Sequence, residues 1–153
     1  MFRLLALVSL SVVAASAAGS DGKAARCQAT AADALGPFYV PGAPVRSRVG
    51  AGYVLSGMVL ASGTCRGILR ARVEFWLVNP DGEYDAAHRA TLFSGKAGSY
   101  RFTSNRPPPY SGRPRHIHVR VSARGFRTLV TQHYPRAGQG RATFNLVLRR
   151  VAG

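Results

Sequence analysis

Acidic residues, lysine and cysteine are all scarce in this sequence. Its 153 residues include 6 Asp or Glu against 21 Lys or Arg, a formal net charge of +15, and every basic residue except Lys23 and Lys96 is an arginine. Such an excess of cations is typical of proteins that bind polyanions. The longest basic run is only Arg149-Arg150, whereas nucleic-acid-binding proteins usually gather their cations in a stripe or patch. Nucleic acid is therefore not an expected partner.

Long hydrophobic runs are absent beyond the amino terminus. Residues 1–18 combine one charge at Arg3, an apolar run over 4–13 and a small-residue stretch over 14–18. This order is typical of a cleaved secretory signal peptide, and the apolar run is shorter than the ~20 residues that a membrane-spanning helix needs. We therefore expect a secreted or periplasmic protein without a membrane span in its mature form.

The two cysteines, Cys27 and Cys65, lie in the part of the chain that we expect to be exported. They lack the C-x-x-C spacing of common thiolate metal sites, which makes such a site the weaker alternative. An even number of cysteines in an oxidising compartment favours a disulfide. We expect one bond between Cys27 and Cys65 that closes a loop of about 38 residues.

Helical periodicity is almost absent, and alternation with period two is widespread. It predicts strands over 53–61, 70–78, around Tyr100 and Phe102, over 117–121 and over 142–149. Turn-forming residues rich in Gly and Pro separate these runs. One domain fits in 153 residues, and short strands with such turns predict an all-β, antiparallel β-sandwich.

The alternation also predicts which side chains are buried. In the first strand we expect Val54, Met58 and Leu60 to share one face. The irregular, Ala-, Gly- and Pro-rich residues 19–50 form a lead-in to a sandwich over 51–153. The expected shared core consists of Val73, Phe75, Ile117, Val119, Phe144 and Leu146.

The residues best suited to chemistry are two histidines and two tyrosines. His116 and His118 are two positions apart, so on a strand both imidazoles project from the same face. Such a pair suits a metal ion, although a surface strand can carry two histidines without binding one. Tyr110 follows three prolines, and Tyr84 follows a predicted strand and turn. Phenolate is a hard, anionic oxygen ligand that favours ferric iron over softer or divalent ions.

Seven segments in the same order resemble the intradiol ring-cleavage dioxygenases, the family of protocatechuate 3,4-dioxygenase and catechol 1,2-dioxygenase. The resemblance covers residues 33–148. Each segment alone is unspecific, but their order together with the Tyr, Tyr and His-x-His pattern is specific. The segments are Gly36-Pro37-Phe38-Tyr39, Ala71-Arg72-Val73-Glu74-Phe75-Trp76, Asp81-Gly82-Glu83-Tyr84, Tyr100-Arg101-Phe102-Thr103, Pro109-Tyr110, Arg113-Pro114-Arg115-His116-Ile117-His118 and Thr131-Gln132-His133-Tyr134.

The resemblance implies one mononuclear, non-haem Fe(III) held by Tyr84, Tyr110, His116 and His118. It further implies a substrate of the catechol type and O2 as co-substrate. The ring would be cleaved between its two hydroxyl-bearing carbons to a muconate-type dicarboxylic acid. In the family's scheme the catechol displaces the tyrosinate at the position of Tyr110.

The resemblance also implies roles for residues around the iron. Arg113 matches an arginine that stabilises carbanion character on the ring, a task that suits a permanently charged guanidinium. Gln132 matches a glutamine that helps to orient the same region. Pro37 and Tyr39 are expected at the mouth of the substrate pocket.

The chain differs from the catechol 1,2-dioxygenases in two respects. It has no long amino-terminal helical segment of the kind those enzymes use to dimerise, and the connections over 85–99 and between Tyr110 and His116 are short. These features predict an open site. Such a site would accept bulkier, polymer-derived catechols, or would be completed by a partner subunit or a second copy of the chain.

Two other functions stay open at the level of sequence. One is an inactive, exported β-sandwich that binds a polyphenol or a carbohydrate. The other is a cationic exported protein that binds nucleic acid or envelope polyanions. The iron content separates both from an enzyme, and steep salt dependence would identify the polyanion binder.

Overall fold

The strands account for most of the regular structure in residues 27–152, the part of the chain that the computed structural model describes. The expected signal peptide lies outside these residues. A short 3-10 turn occupies Lys96–Gly98. The strands are β1 (Tyr53–Ala61), β2 (Arg72–Val78), β3 (Tyr84–Phe93), β4 (Ser99–Ser104), β5 (Ile117–Ser122), β6 (Leu129–His133), β7 (Arg141–Thr143) and β8 (Leu146–Leu148).

The strands form two sheets, and the predicted all-β sandwich is confirmed. The first sheet has the order β3-β2-β5-β6 and is antiparallel throughout. In the second sheet β4 pairs with β1 antiparallel, whereas β7 and β8 both pair with β1 in parallel. These parallel pairs are a departure from the purely antiparallel prediction. They arise because the chain crosses from β6 in the first sheet to β7 in the second.

The core lies between the sheets. Phe75 of β2 stacks on Phe102 of β4 with ring centroids 4.2 Å apart, joining the two layers. Five of the six predicted core residues are fully buried, and Phe144 packs against the core while partly buried.

Val54, Met58 and Leu60, which the alternation places on one face of β1, lie opposite the core-facing residues Tyr53, Leu55 and Val59. Val54 and Met58 are partly exposed, whereas Leu60 is buried. Both phases of this strand contain apolar residues, so alternation alone does not distinguish them. The first sheet packs on the face that carries Tyr53, Leu55 and Val59, and this packing determines which face of β1 is buried.

The lead-in covers the outer face of the first sheet. Glu74 and Trp76, on the side of β2 away from the core, are buried as deeply as the core itself. The Tyr39 hydroxyl donates to a Glu74 carboxylate oxygen at 3.1 Å. Arg46 donates to the backbone carbonyls of Ala86, Ala87 and Arg89. Because both faces of β2 are covered, every side chain of this strand after Arg72 is buried.

Two further features concern the chain connections. Residues 85–99 were expected to be a short connection, but most of them belong to β3, whose ten residues pair along β2. Cys27 and Cys65 form a disulfide with an S–S distance of 2.02 Å. The part of the chain that the structure describes has no helix long and apolar enough to cross a membrane.

Candidate metal centre

The His-x-His pair lies at the start of β5. His116 immediately precedes this strand, and His118 pairs with Trp76 of β2. Both side chains are buried, with 2% and 1% of their surface exposed, and their ring centroids are 4.8 Å apart. The Trp76 ring stacks on His118 at 4.8 Å with an interplanar angle of 5°. A rigid strand and an aromatic ring therefore hold the pair in place.

A tight turn positions Tyr84 as the first residue of β3. The Asn79 side-chain oxygen accepts the backbone N–H groups of Asp81 and Glu83, at 2.9 and 3.0 Å. Gly82 supplies the positive φ of 88° that the turn requires. The Asn-Pro-Asp-Gly sequence thus returns the chain beside β2 and directs Tyr84 toward the histidines.

A second turn positions Tyr110. Ser111 and Gly112 both have positive φ, 48° and 72°, as the two central residues of a type I′ turn do. The turn is closed by the Arg113 N–H, which donates to the Tyr110 carbonyl at 2.8 Å. Tyr110 and Arg113 consequently stand side by side at the same end of the first sheet as the histidines.

Three potential metal-donor atoms surround the Tyr84 hydroxyl, which is the fourth. Its Oη lies 3.0 Å from Tyr110 Oη, 3.0 Å from His118 Nε2 and 3.3 Å from His116 Nε2. These four residues lie on three separate parts of the chain. The fold therefore brings together all four residues that the sequence analysis assigned to the metal.

Burial favours neutral imidazoles in both histidines, and a hydrogen bond fixes the tautomer of His116. His116 Nδ1 lies 2.8 Å from the Pro114 carbonyl, and as a donor to that oxygen it leaves Nε2 unprotonated. Burial lowers the pKa of His116, and burial lowers the pKa of His118 to about 4. Burial also raises the pKa of Tyr84, so without a strong cation its phenol keeps its proton.

The donor set suits a hard trivalent cation. Ligands that share one ion at about 2.1 Å lie roughly 3 Å apart, which is the spacing seen around Tyr84. Among residues 27–152 no group of three or more His, Cys, Asp or Glu residues could hold a metal. Two phenols and two imidazoles are therefore the candidate donors, and loss of two phenolic protons would supply the negative charge that Fe(III) favours.

Arg113 and Gln132 form a pair at the rim of this cluster. Arg113 Nη2 donates to Gln132 Oε1 at 2.9 Å, and its Nη1 lies 3.4 Å from His116 Nε2. Gln132 Nε2 in turn donates to the Ala34 carbonyl at 2.8 Å. The guanidinium thus faces the donor cluster and is fixed from behind by the lead-in.

Two residues that support the Arg113–Gln132 pair had no role predicted from the sequence. The Tyr134 hydroxyl lies 2.8 Å from Asp33 Oδ2 and 3.2 Å from Gln132 Oε1. Tyr134 belongs to one of the segments that resemble the family, and no sequence pattern around Asp33 indicates a function. Asp33 and Tyr134 are 101 positions apart in the chain, so only the folded structure brings them into contact.

The two residues expected at the pocket mouth, Pro37 and Tyr39, lie on the lead-in. The Tyr39 ring packs on Trp76, and its hydroxyl is bonded to Glu74, while Pro37 is exposed on the lead-in. Between them, Phe38 stacks on Tyr84 with centroids 4.3 Å apart. Beside Tyr84 is an open cleft of about 390 Å³ that is lined by residues 40–44, Asp85, Ala86 and Arg89.

The fold and the donor cluster define a β-sandwich protein with a candidate mononuclear metal centre at one end of a sheet. The chain is 29% identical to chlorocatechol 1,2-dioxygenase of Pseudomonas putida, over 78% of this chain and 58% of that protein. It is 33% identical to hydroxyquinol 1,2-dioxygenase of Nocardioides simplex, over 67% of this chain and 46% of that protein. No protein-family model matches the chain.

A solved structure extends the comparison to three dimensions. The dioxygenase domain of a dioxygenase carbohydrate-binding protein fusion from Streptomyces sp. SirexAA-E superposes with a TM-score of 0.73 at 28% identity. The match covers 81% of this chain and 100% of that domain. The chain belongs to the intradiol ring-cleavage dioxygenase family. It spans about half the length of the curated relatives it matches.

Proposed function

We propose that this protein is a non-haem Fe(III) dioxygenase that cleaves a catechol-type ring between its two hydroxyl-bearing carbons. The observation that carries the proposal is the convergence of the Tyr110 hydroxyl and the Nε2 atoms of His116 and His118 on the Tyr84 hydroxyl, at 3.0 to 3.3 Å. Membership in the intradiol family supports the same chemistry. Fe(III) would supply a Lewis acid that binds the catechol oxygens and makes the ring reactive toward O2.

The two tyrosines are held differently, which suits different roles. Tyr84 belongs to a strand and is packed under Phe38, whereas Tyr110 lies on a two-residue turn after three prolines. Tyr110 can therefore move with less disruption of the fold. In the proposed reaction it leaves the donor cluster and its phenolate oxygen accepts a proton from a catechol hydroxyl.

Arg113 is the residue placed to stabilise negative charge on the substrate. Its guanidinium faces the donor cluster from the rim, and its hydrogen bond to Gln132 fixes the orientation. A cation held in advance costs no reorganisation when charge develops on the ring during the reaction. Gln132 and Tyr134 position this guanidinium and are not proposed to contact the substrate.

The open cleft beside Tyr84 bears on the substrate class. Val40 at its edge is 52% exposed and Phe38 is 41% exposed, so one side of the site has an apolar wall that faces solvent. We propose that a catechol carrying a bulky or polymeric substituent can bind with that substituent outside the protein. Export of the chain, also proposed, would give it access to such compounds.

Colour and oxygen uptake test the function directly. Two tyrosinates on Fe(III) absorb visible light, so the purified protein should be red to burgundy with one iron per chain, and catechol should shift the band. One O2 should be consumed per ring without an added reductant. A colourless protein that stays inactive after anaerobic iron loading and reoxidation would contradict the proposal and favour a binding module.

Replacing Arg113 by Ala separates the arginine from the metal donors. The variant should keep its iron and colour, because Arg113 is not a donor, and should lose about 10²- to 10³-fold in turnover. Arg101→Ala, on an exposed position of β4, is the matched control and should leave turnover unchanged. Loss of iron in the Arg113 variant would assign this residue a structural role instead.

A further inference from the structure

One of the two ends of the sandwich carries several exposed cations and none of the five acidic residues in the described part of the chain. The metal centre lies where β2 ends and β3 begins, and the opposite end lies where β3 and β5 end. The ten residues of β3 span about 30 Å at 3.3 Å per residue. We call this opposite end the distal end. Its exposed residues are Arg66, Leu69, Arg70, Phe93, Lys96, Arg124, Arg127, Arg149, Arg150 and Val151.

Strand register shows that these residues share one end. Arg72 of β2 pairs with Phe93 of β3 on one side and with Ser122 of β5 on the other. The start of β2 therefore lies between the ends of β3 and β5. Phe126, in the loop after β5, bridges to Arg150. The Arg127 N–H donates to the Arg149 carbonyl at 2.9 Å, which brings the carboxy-terminal arginines beside the same loop.

The distal end carries cations without acidic partners in residues 27–152. Of the five acidic residues there, Asp81 and Glu83 lie in the turn at the metal-centre end, Asp85 follows it, and Asp33 binds Tyr134. The fifth, Glu74, is buried and paired with Arg72 and Arg120. The seven exposed cations of the distal end therefore form a single-sign surface that attracts anions.

Exposed apolar side chains lie among these cations. Leu69 is 61% exposed, Phe93 46% and Val151 56%. The Arg70 guanidinium lies 6.0 Å from the centre of the Phe93 ring, and Arg150 lies 5.0 Å from that of Phe126. Arginines of this kind hold the phosphates of a lipid surface while neighbouring apolar side chains enter the headgroup layer. A hydrated polyanion such as a nucleic acid gives exposed Leu and Val side chains no comparable environment.

We propose that the distal end is a docking surface for an anionic lipid bilayer, on which the protein lies peripherally. Each arginine near an anionic membrane contributes measurably to binding, so seven cations on one end favour a defined orientation. In this orientation the metal centre faces away from the lipid, toward soluble or polymeric material. The inference rests on charge and exposure and does not depend on the proposed iron chemistry.

Vesicle co-sedimentation tests the surface with matched charge changes. The probe is vesicles of equal parts phosphatidylglycerol and phosphatidylcholine, compared with phosphatidylcholine alone, using purified protein whose amino terminus has been determined to exclude residues 1–18. The parent protein should bind only the anionic vesicles. The pair Arg70→Gln and Arg150→Gln should weaken binding about 30-fold. The control pair Arg101→Gln and Arg141→Gln, with the same loss of charge on exposed positions of β4 and β7, should weaken it less than threefold.

A second variant distinguishes a lipid surface from a polyanion. Leu69→Gln should weaken vesicle binding severalfold and leave heparin and duplex DNA binding unchanged. Equal losses from the two arginine pairs, or no vesicle binding at all, would overturn the proposal. So would an unchanged vesicle affinity of Leu69→Gln together with tight heparin or DNA binding, which would assign the distal end to a polyanion. Circular dichroism of each variant verifies that the fold is intact.

Discussion

The hydroxyl of Tyr84 is the centre of the donor cluster, since the distances to the other three donors all meet at this oxygen. The neighbouring residue on β3, Asp85, cannot replace it, because its carboxylate is engaged with His88 and Asn79. Removal of this one oxygen therefore removes the atom that the other donors share.

Tyr84→Phe should lose iron and visible colour together, because it removes a charged ligand and leaves the ring packed under Phe38. Tyr134→Phe is the matched control, since its hydroxyl bonds Asp33 and Gln132 rather than the donors. It should keep the colour and lose part of the turnover as Arg113 loosens. Iron content by atomic absorption and the visible spectrum check both; retained colour in Tyr84→Phe would show that other groups hold the iron.

His133, one strand away from the donors, makes the stability of the fold pH-dependent. Its Nε2 lies 2.8 Å from the hydroxyl of Tyr53, and burial lowers the pKa of His133 to about 4. Above pH 6.5 this imidazole is neutral in both the folded and the unfolded chain. Between pH 6.5 and 4 only the unfolded chain takes up the proton, so folding stability falls as the pH falls.

The loss attributable to His133 should reach roughly 3 kcal/mol between pH 7.5 and 4. His133→Gln removes the titrating group and keeps a partner for the Tyr53 hydroxyl. Urea unfolding at pH 7.5 and at pH 4.5 should show a smaller pH dependence in this variant than in the parent. An identical dependence in both proteins would mean that other groups control acid unfolding.

At the scale of elements, the lead-in is part of the metal centre. Gly36 has a φ of +72°, and a Cβ at this position would lie 3.1 Å from His118 Cε1. Phe38, two residues on, stacks on Tyr84. The lead-in, which has no regular secondary structure at these positions, thus packs directly on two of the four donors.

Gly36→Ala should weaken iron retention about tenfold or more, because the new methyl group displaces His118 or the lead-in. Gly42→Ala is the control: it lies on the same segment with a φ of +81°, and a Cβ there meets nothing within 4 Å. Both variants bear the left-handed backbone cost of about 1 kcal/mol, but only the first should lose iron during dialysis against a chelator. Equal iron losses from the two variants would show that backbone strain, and not the contact with His118, causes the loss.

At the scale of the whole molecule, the disulfide and the metal centre lie at opposite ends. Cys27 and Cys65 join the start of the lead-in to the residues that follow β1, near Ser62 and Gly63. The bond therefore ties down the lead-in from the end away from the donors. Its effect on stability and its effect on the site should be separable.

The double substitution Cys27→Ser and Cys65→Ser should lower the free energy of unfolding by roughly 3–4 kcal/mol, as expected for a loop of this length. Iron content and colour at 25 °C should stay unchanged, because the disulfide lies at the opposite end of the sandwich from the donors. Urea unfolding followed by circular dichroism measures the first effect and the visible spectrum the second. In the parent protein, alkylation of both thiols without prior reduction would show that the bond does not form.

Much of the fold follows from local pattern. Alternation along β2 and β5 predicted the buried residues Val73, Phe75 and Val119, because a strand sends successive side chains to opposite faces. It did not decide which face of β1 is buried, because both faces are apolar, and it did not reveal the strand within residues 85–99, whose alternation is weak. The parallel pairing of β7 and β8 with β1 has no local signal, since pairing depends on where distant strands meet.

The sequence by itself determined the donor types and the spacing of the two histidines, because two positions along a strand place both imidazoles on one face. It also determined the turn that begins at Asn79, since its Asn, Pro and Gly residues restrict the backbone locally. Only the tertiary structure decided that Tyr84, Tyr110 and the histidines meet, that Asp33 and Tyr134 support Arg113 through Gln132, and that seven exposed cations share the distal end. These are contacts between residues far apart in the chain, and they exist only once the two sheets have packed and the lead-in has closed over them.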